Sequence, residues 1–353
     1  MSGLKLRTTE APKQIIKYSG ELFPTGVTLL NCACSGTHQG GFAPGKVVNI
    51  IGDSFTGKTL LALTVLAEIS QLPQFDHYRF IFDDVEAALE FDIKTLFGPK
   101  VAKRIEMNII SKTIEDWGTN LAKALIRKTP FIYILDSFDA VTSKAEQERA
   151  KAKVKPPKRG EKKEKTKGTY GIEKPKIAGE IFRAYIDIIK AQEALVIVIS
   201  QTRQNIGNTF VPKTRSGGDA LRFFSTHEMW LAHWGMIWKG KIMEIGADVG
   251  VKVTKNKLTG HRRRISFPIY DDYGIGDVHA NVDYVIEEGI WKKAEGKERI
   301  YQATEIMDIV GQKATLVNHI IRNDLQEPLQ ELVGHAWQEM EERESHKWGK
   351  KYA

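Results

Sequence analysis

The feature that most constrains this chain is the run Gly52-Asp53-Ser54-Phe55-Thr56-Gly57-Lys58-Thr59, set between an apolar stretch at 46–51 and a helical stretch at 58–70. Glycines near both ends allow a tight loop whose N–H groups converge on phosphate oxygens, and the following helix adds its positive end. In such a strand–loop–helix setting Lys58 is expected at the β- and γ-phosphates and the Thr59 hydroxyl on Mg²⁺. Every residue of the loop, Gly52, Asp53, Ser54, Phe55, Thr56, Gly57, Lys58 and Thr59, is therefore a candidate nucleotide contact. The cofactors this points to are ATP and Mg²⁺.

A phosphate loop of this kind belongs to a β–α unit, and the chain supplies more of them. Apolar runs at 78–83, 131–136 and 195–200, rich in Ile, Val, Phe or Leu, alternate with helical patterns near 88–96, 114–127 and 177–192. This alternation predicts an α/β fold with a mainly parallel sheet covered by helices on both faces. Stretches at 228–234, 242–254 and 263–270 then predict consecutive, antiparallel strands. Beyond about residue 278 the pattern predicts short helices at 303–310, 314–322 and 329–343. The expected organisation is an N-terminal arm over 1–45, with a short strand at 14–18, an ATPase core over 46–277, and a small α-rich C-terminal domain over 278–353.

Composition narrows the class. No apolar run reaches membrane-spanning length, and Met1 opens a polar stretch rather than a signal peptide. The only cysteines, Cys32 and Cys34, lie too close to staple a fold and have no second pair to complete a metal site. They are expected as small buried residues of a cytoplasmic protein. The net charge is +8, and the segment from Arg149 to Lys167, with ten lysines and arginines against Glu161 and Glu164, carries an excess equal to all of it. So concentrated a positive block points to a polyanion partner. Its low-complexity surroundings, 145–175, hold too little apolar surface to predict an ordered element.

A phosphate loop needs a magnesium partner at the end of a buried strand, and Asp136 closes Phe131-Ile132-Tyr133-Ile134-Leu135. Glu86 follows the strand ending at Asp83-Asp84 and could orient an attacking water, although pattern alone leaves Asp83, Asp84 and Glu86 open for that role. The stretch 205–215 places Phe210, Lys213 and Arg215 among small and polar residues around Asn205, as a loop gripping a nucleic-acid backbone with one apolar wedge would. Arg203 stands beside it.

Five segments in order resemble the RecA recombinase family. Asp84-Val85-Glu86-Ala87-Ala88-Leu89-Glu90 is similar to the segment bearing the catalytic glutamate. Leu135-Asp136-Ser137-Phe138-Asp139-Ala140-Val141-Thr142 resembles the metal-binding strand, and Ile199-Ser200-Gln201-Thr202-Arg203-Gln204-Asn205-Ile206-Gly207 the switch segment. Ser216-Gly217-Gly218-Asp219-Ala220-Leu221-Arg222-Phe223 resembles the end of the second DNA-binding loop. Val251-Lys252-Val253-Thr254-Lys255-Asn256-Lys257 resembles the strand whose two lysines enter a neighbour's ATP site. The resemblance runs over roughly 24–290.

It implies an ATP-dependent recombination protein that forms a filament on single-stranded DNA and exchanges strands with a homologous duplex, with ATP at the contacts between copies. Glu86 is then the catalytic carboxylate, Gln201 the γ-phosphate sensor, and Lys255 and Lys257 the cations supplied in trans. Glu90 falls among the nucleotide contacts. Gly207, Gly217 and Gly218 belong to the second DNA-binding loop, and counting back from Gln201 puts Lys176 and Arg183 at DNA-contacting positions on one helix. Three departures stand out. The lysine-rich segment replaces the family's short first DNA-binding loop. Ile93 stands where a tyrosine covers adenine, leaving Tyr270 or Tyr273 to stack. The terminus Lys347-Trp348-Gly349-Lys350-Lys351-Tyr352-Ala353 is not acidic. Divergence of this size suggests a phage-encoded relative. Two other readings compete, a ring-shaped helicase motor and a mediator that binds ATP without exchanging strands. The paired lysines, Gly217-Gly218 and the intact Glu86 and Gln201 argue against both.

Overall fold

The computed structural model describes residues 20–87, 89, 92–154, 173–204, 213–215 and 218–344. The strand expected at 14–18, most of the lysine-rich segment, and Glu90, Asn205, Gly207, Phe210 and Gly217 lie outside the described residues.

The main sheet consists of β1 (Lys46–Gly52), β2 (Arg79–Asp84), β3 (Ile105–Glu106), β4 (Phe131–Asp136), β5 (Leu195–Gln204), β6 (Lys213–Arg215), β7 (His227–Lys239), β8 (Met243–Asn256), β9 (Arg264–Tyr270) and β10 (Gly274–Ile275). Its order is β10-β9-β8-β7-β1-β5-β4-β2-β3, with β6 paired to the end of β5. From β7 through β1, β5, β4 and β2 to β3 every pairing is parallel, whereas β8, β9 and β10 continue antiparallel. The α/β class with a mainly parallel sheet is as the sequence predicts.

The helices are α1 (Thr28–Ser35), α2 (Lys58–Gln71), α3 (Ile93–Phe97), α4 (Pro99–Arg104), α5 (Ile114–Ile126), α6 (Lys144–Val154), α7 (Glu173–Ala191), α8 (Gly218–Phe224), α9 (Asp277–Glu287), α10 (Lys313–Arg322) and α11 (Gln326–Arg343). Period-2 alternation sorts the strand side chains into two cores. In β4, Ile132 and Ile134 join the cluster under α1 and α2, while Phe131, Tyr133 and Leu135 join that of Trp117 on α5 and Phe182 on α7. The Trp117 and Phe182 rings meet edge to face at 5.5 Å, and Phe224 of α8 stacks on Phe182 at 5.3 Å.

Three expectations change. From Phe23 onward the segment read as an arm is core: α1 is buried throughout, and Cys32 and Cys34 are buried free thiols within it. Thr28 opens that helix by donating its N–H and hydroxyl to Asp277 of α9, both at 2.7 Å, and Gln330 of α11 reaches the same carboxylate. The second change is at 303–310, which forms no helix. It supplies parts of β12 (Tyr301–Ala303) and β13 (Ile309–Gly311), which with β11 (Lys292–Lys293) make a three-stranded sheet. The β-branched pair Ile309-Val310 finds cross-strand partners there, and this outweighs the helical spacing.

Third, the start of the low-complexity stretch is helical. Ala, Glu, Gln and Lys in α6 are strong helix formers. Ser143 and Glu146 close a reciprocal capping box at 2.9 and 3.1 Å, and Arg149 grips Glu173 of α7 with two hydrogen bonds of 3.0 and 2.9 Å. A helix polar on all sides leaves no hydrophobic period to read.

Candidate functional site

The site forms at the carboxyl ends of four adjacent parallel strands, where open α/β sheets bind ligands. Gly52 ends β1 in register with Gln201 of β5, and Asp84 ends β2 opposite Asp136 of β4. Residues up to 150 positions apart in the chain thereby line one edge.

The phosphate loop itself is sterically determined. A Cβ on Gly52 would lie 2.5 Å from Thr56 Oγ1 and 2.9 Å from the Leu231 carbonyl. Gly57 sits at φ +79°, and a Cβ there would lie 2.4 Å from Ile269 Cδ1. The loop is drawn together by hydrogen bonds from Thr56 Oγ1 (2.8 Å) and Lys58 Nζ (2.5 Å) to the Asp53 carbonyl. Lys58 is buried at the N-terminus of α2, and burial pulls its pKa down while Asp136, Glu86 and Asp53 oppose that shift. Ser54 and Phe55 project outward, Phe55 fully exposed.

Thr59 donates its hydroxyl to Asp136 at 2.5 Å. Burial, with Glu86 and Asp84 nearby, pushes the Asp136 pKa up to about 6 even though the Thr59 bond lowers it. A buried carboxylate bonded to a hydroxyl, with its pKa raised, is an oxygen pair that a hard divalent cation would relieve, so Thr59 and Asp136 fit Mg²⁺. The adjoining cleft, about 210 Å³, is lined by Lys58, Thr59, Asp84, Glu86 and Asp136 among others. That cleft, with Lys58 and Thr59 in its lining, fits the phosphate end of ATP.

The three carboxylates at the end of β2 and just beyond it separate cleanly. Asp83 is buried and structural, accepting from Ser111 N (2.8 Å), the Ser111 hydroxyl (2.5 Å) and Tyr133 Oη (2.5 Å). Asp84 accepts from Leu89 N at 3.3 Å. Glu86 reaches across to the next strands, accepting from the Ser137 hydroxyl and from Gln201 Nε2 at 3.1 Å. The glutamate and the sensor glutamine inferred from sequence are thus in direct contact.

A scan against protein families matches the model of the RecA N-terminal domain over residues 11–276. The chain belongs to the RecA family. Among bacterial RecA proteins it is 28% identical to that of Citrifermentans bemidjiense over 315 residues, covering 87% of this chain and 86% of that one. It is 30% identical to that of Thioalkalivibrio sulfidiphilus over 281 residues, covering 78% and 73%. The RecA of Geobacter sulfurreducens is 28% identical over 305 residues, 84% and 82%. None of these bears on a phage origin. As a RecA-family member the chain is a RecA-type recombination protein with a P-loop nucleotide site.

Within that RecA frame the candidate DNA contacts fall into two groups. Lys176 and Arg183 are exposed on α7, two turns apart, with Arg183 folded back over Gly179. The cations near the second loop are paired with acids: Arg203 with Asp139 at 3.2 Å, Lys213 with Asp53 of the phosphate loop, and Arg215 with Glu228 at 3.4 Å. Arg215, expected to face DNA, has a side chain only 12% exposed, turned against a carboxylate that β7 buries. Gly218 opens α8.

Lys255 and Lys257 stand far from the cleft. Lys255 Nζ donates to the carbonyls of Arg222 and Phe223, and Lys257 Nζ to that of Phe223 at 2.8 Å. Neither tyrosine offered for adenine lines the phosphate cleft. Tyr270 lies against His279, ring centres 4.9 Å apart, because its neighbour Ile269 takes the side facing the loop, while Tyr273 is exposed. Ile93 packs against the core.

Sequence reasoning missed Ser137, Asp139 and Thr202 as site residues. Ser137 binds Glu86, Asp139 accepts the Gln201 N–H at 2.6 Å, and the Thr202 hydroxyl donates to Asp53. The first two stand inside the segment that resembles the metal-binding strand, and the polar residues following Asp136 there were the available signal.

Among the described residues no helix is long and apolar enough to cross a membrane, and no three His, Cys, Asp or Glu side chains group to hold a metal ion.

Proposed function

We propose that this chain is a DNA-stimulated ATPase that polymerises on single-stranded DNA, holds ATP between neighbouring copies, and exchanges strands with a homologous duplex. The observation that carries the reading is the position of Lys255 and Lys257. Lys255 lies on β8 and Lys257 in the turn that follows it, and both ammonium groups are directed at backbone carbonyls of Arg222 and Phe223 rather than at the phosphate loop of their own subunit.

On this reading the loop and Lys58 bind the triphosphate, and Thr59 and Asp136 would hold Mg²⁺, which supplies charge neutralisation at the β- and γ-phosphates. Glu86 orients a water in line with the γ-phosphate and takes its proton. Gln201, bonded to Glu86, adds the link to the second DNA-binding loop, whose strand β6 pairs directly with β5. Lys255 and Lys257 of a neighbour stabilise the charge that develops on the transferring phosphoryl group. Hydrolysis is then tied to assembly. Tyr273, the exposed member of the tyrosine pair, is then the ring that stacks on a base.

The test is electron microscopy of the protein with single-stranded DNA and a non-hydrolysable ATP analogue. Helical filaments are expected. Closed rings would replace the recombinase reading with a translocating motor.

A further inference from the structure

Lys174, the second residue of α7, is almost wholly buried, 9% exposed. Its ammonium donates to the carbonyls of Phe138 and Val141, both at 2.7 Å, and more distantly to that of Asp139 at 3.4 Å. It also lies 4.7 Å from the centre of the Phe138 ring. Burying a charge is expensive unless it is fully partnered. Burial pulls the Lys174 pKa below the ordinary lysine value, with Asp139 opposing. An apolar side chain would fill the same space without that cost. What the ammonium adds is a fixed position for the backbone of one turn.

That turn follows the metal-binding strand β4, and it touches both halves of the hydrolytic pair. Ser137 gives its hydroxyl to Glu86, and Asp139 accepts the Gln201 N–H at 2.6 Å and pairs with Arg203. Gln201 in turn donates to Glu86. On its other side the clamp is part of α7, the helix that presents Lys176 and Arg183. Its next residue, Pro175, packs on Gly218 at the start of α8, since a Cβ at 218 would lie 3.0 Å from Pro175 Cβ. A displacement of α7 is therefore felt by Glu86 and Gln201 through two side chains and one turn.

We propose that Lys174 and Asp139 are positioning residues that couple α7 to the Glu86–Gln201 pair, so that DNA held along α7 sets the geometry of hydrolysis. The inference rests on the recombinase reading above. Lys174 fixes the turn, and Asp139 fixes Gln201 relative to it.

The test measures ATP turnover with and without single-stranded DNA, together with the affinity for a fluorescent ATP analogue and the melting temperature, in the full chain. Asp139→Ala and Lys174→Met are expected to lower the ratio of stimulated to basal turnover about tenfold, within the range of coupling between linked sites, at unchanged analogue affinity. Asp139→Asn, which keeps an acceptor for the Gln201 N–H, should recover most of the ratio. Should Lys174→Met fail to fold, the two Asp139 variants decide alone. Wild-type stimulation in Asp139→Ala overturns the proposal, and so does a loss that follows weakened analogue binding or a lowered melting temperature. A wild-type protein whose turnover ignores DNA removes the recombinase reading itself, and this inference with it.

Discussion

If Lys255 serves a neighbour's nucleotide, two inactive variants should restore each other. Glu86→Gln removes the carboxylate that activates water, and Lys255→Ala removes the cation, but each leaves the other's contribution intact. The structure says why Lys255 cannot serve its own loop. It pairs with Glu228 of β7, which pairs with Asn49 of β1, three residues before Gly52. At ~3.3 Å per residue that is about 10 Å along the strand, and two strand spacings add about 10 Å across the sheet. The combined separation exceeds the reach of a four-carbon lysine stem, and that stem is already directed at the Arg222 and Phe223 carbonyls. Loss of a trans cation costs roughly 10³–10⁵ in turnover in comparable phosphoryl-transfer sites, so each variant alone should be close to inactive. Randomly mixed at equal amounts on DNA, about a quarter of head-to-tail contacts join an intact Glu86 to an intact Lys255. Steady-state phosphate release from the mixture should then approach about a quarter of the wild-type rate per subunit, against almost nothing for either variant alone. A mixture no faster than the average of its components would refute the trans assignment.

The same lysine predicts a pH limit. Burial and the neighbouring Lys257 bring the Lys255 pKa down to about 8. The ammonium of the free subunit is charged below that value and neutral above it, and a neighbour's triphosphate would raise its pKa. Nucleotide-dependent assembly should therefore take up a proton at Lys255 and weaken as pH rises through 8, while Lys255→Arg takes up none. Assembly of the wild type whose affinity is independent of pH from ~7 to ~9.5 would contradict contact between Lys255 and a triphosphate. Lys58→Ala should abolish the dependence of DNA binding on nucleotide, and DNA affinity that still responds to an ATP analogue would sink that coupling. Replacing the seven lysines and arginines between Lys155 and Lys167 by glutamine should flatten the log–log salt dependence of single-stranded DNA affinity by about 0.7 for each phosphate the segment no longer neutralises. An unchanged slope would assign the segment to another partner.

The parallel half of the fold was legible because strands buried on both faces write themselves as unbroken apolar runs. The strand at 131–136 needed no other signal. Where polarity entered a strand, the reading stopped short: β5 continues past Ser200 through Thr202, Arg203 and Gln204, held by pairing with β6 rather than by burial. Helix α6 failed to show for a related reason, since its stability comes from a cap and one ion pair. Of the site, Lys58, Thr59 and Asp136 could be named because each sits at the end of a legible strand or in the phosphate loop, whereas Glu86 and Gln201 are singled out only by the resemblance to the RecA family. Ser137, Asp139, Thr202 and Lys174 could not be named. The contacts of Ser137 and Asp139 depend on β4 lying beside β2 and β5, that of Thr202 on β5 lying beside β1, and those of Lys174 on α7 packing over the turn after β4, an arrangement that no local pattern encodes.

That strand order also gives the paired cations a consequence. Arg203 and Lys213 are more than half exposed, yet their partners are Asp139, which holds Gln201, and Asp53, which belongs to the phosphate loop. Exposed pairs of this kind contribute only about 0–1 kcal/mol each, so a DNA phosphate can take over either cation at small cost. On the proposed reading each exchange leaves an acid uncompensated beside the nucleotide. Lys213 is the leading cause holding the Asp53 carboxyl below its ordinary pKa, and moving it to DNA returns a full negative charge to the loop that must hold a triphosphate. DNA alone would therefore weaken the grip on ATP unless another cation arrived. Lys255 and Lys257 of a neighbour are two such cations. The charges thus favour DNA, nucleotide and neighbour binding together over any of them binding singly, as a protein that hydrolyses ATP only in an assembled filament requires.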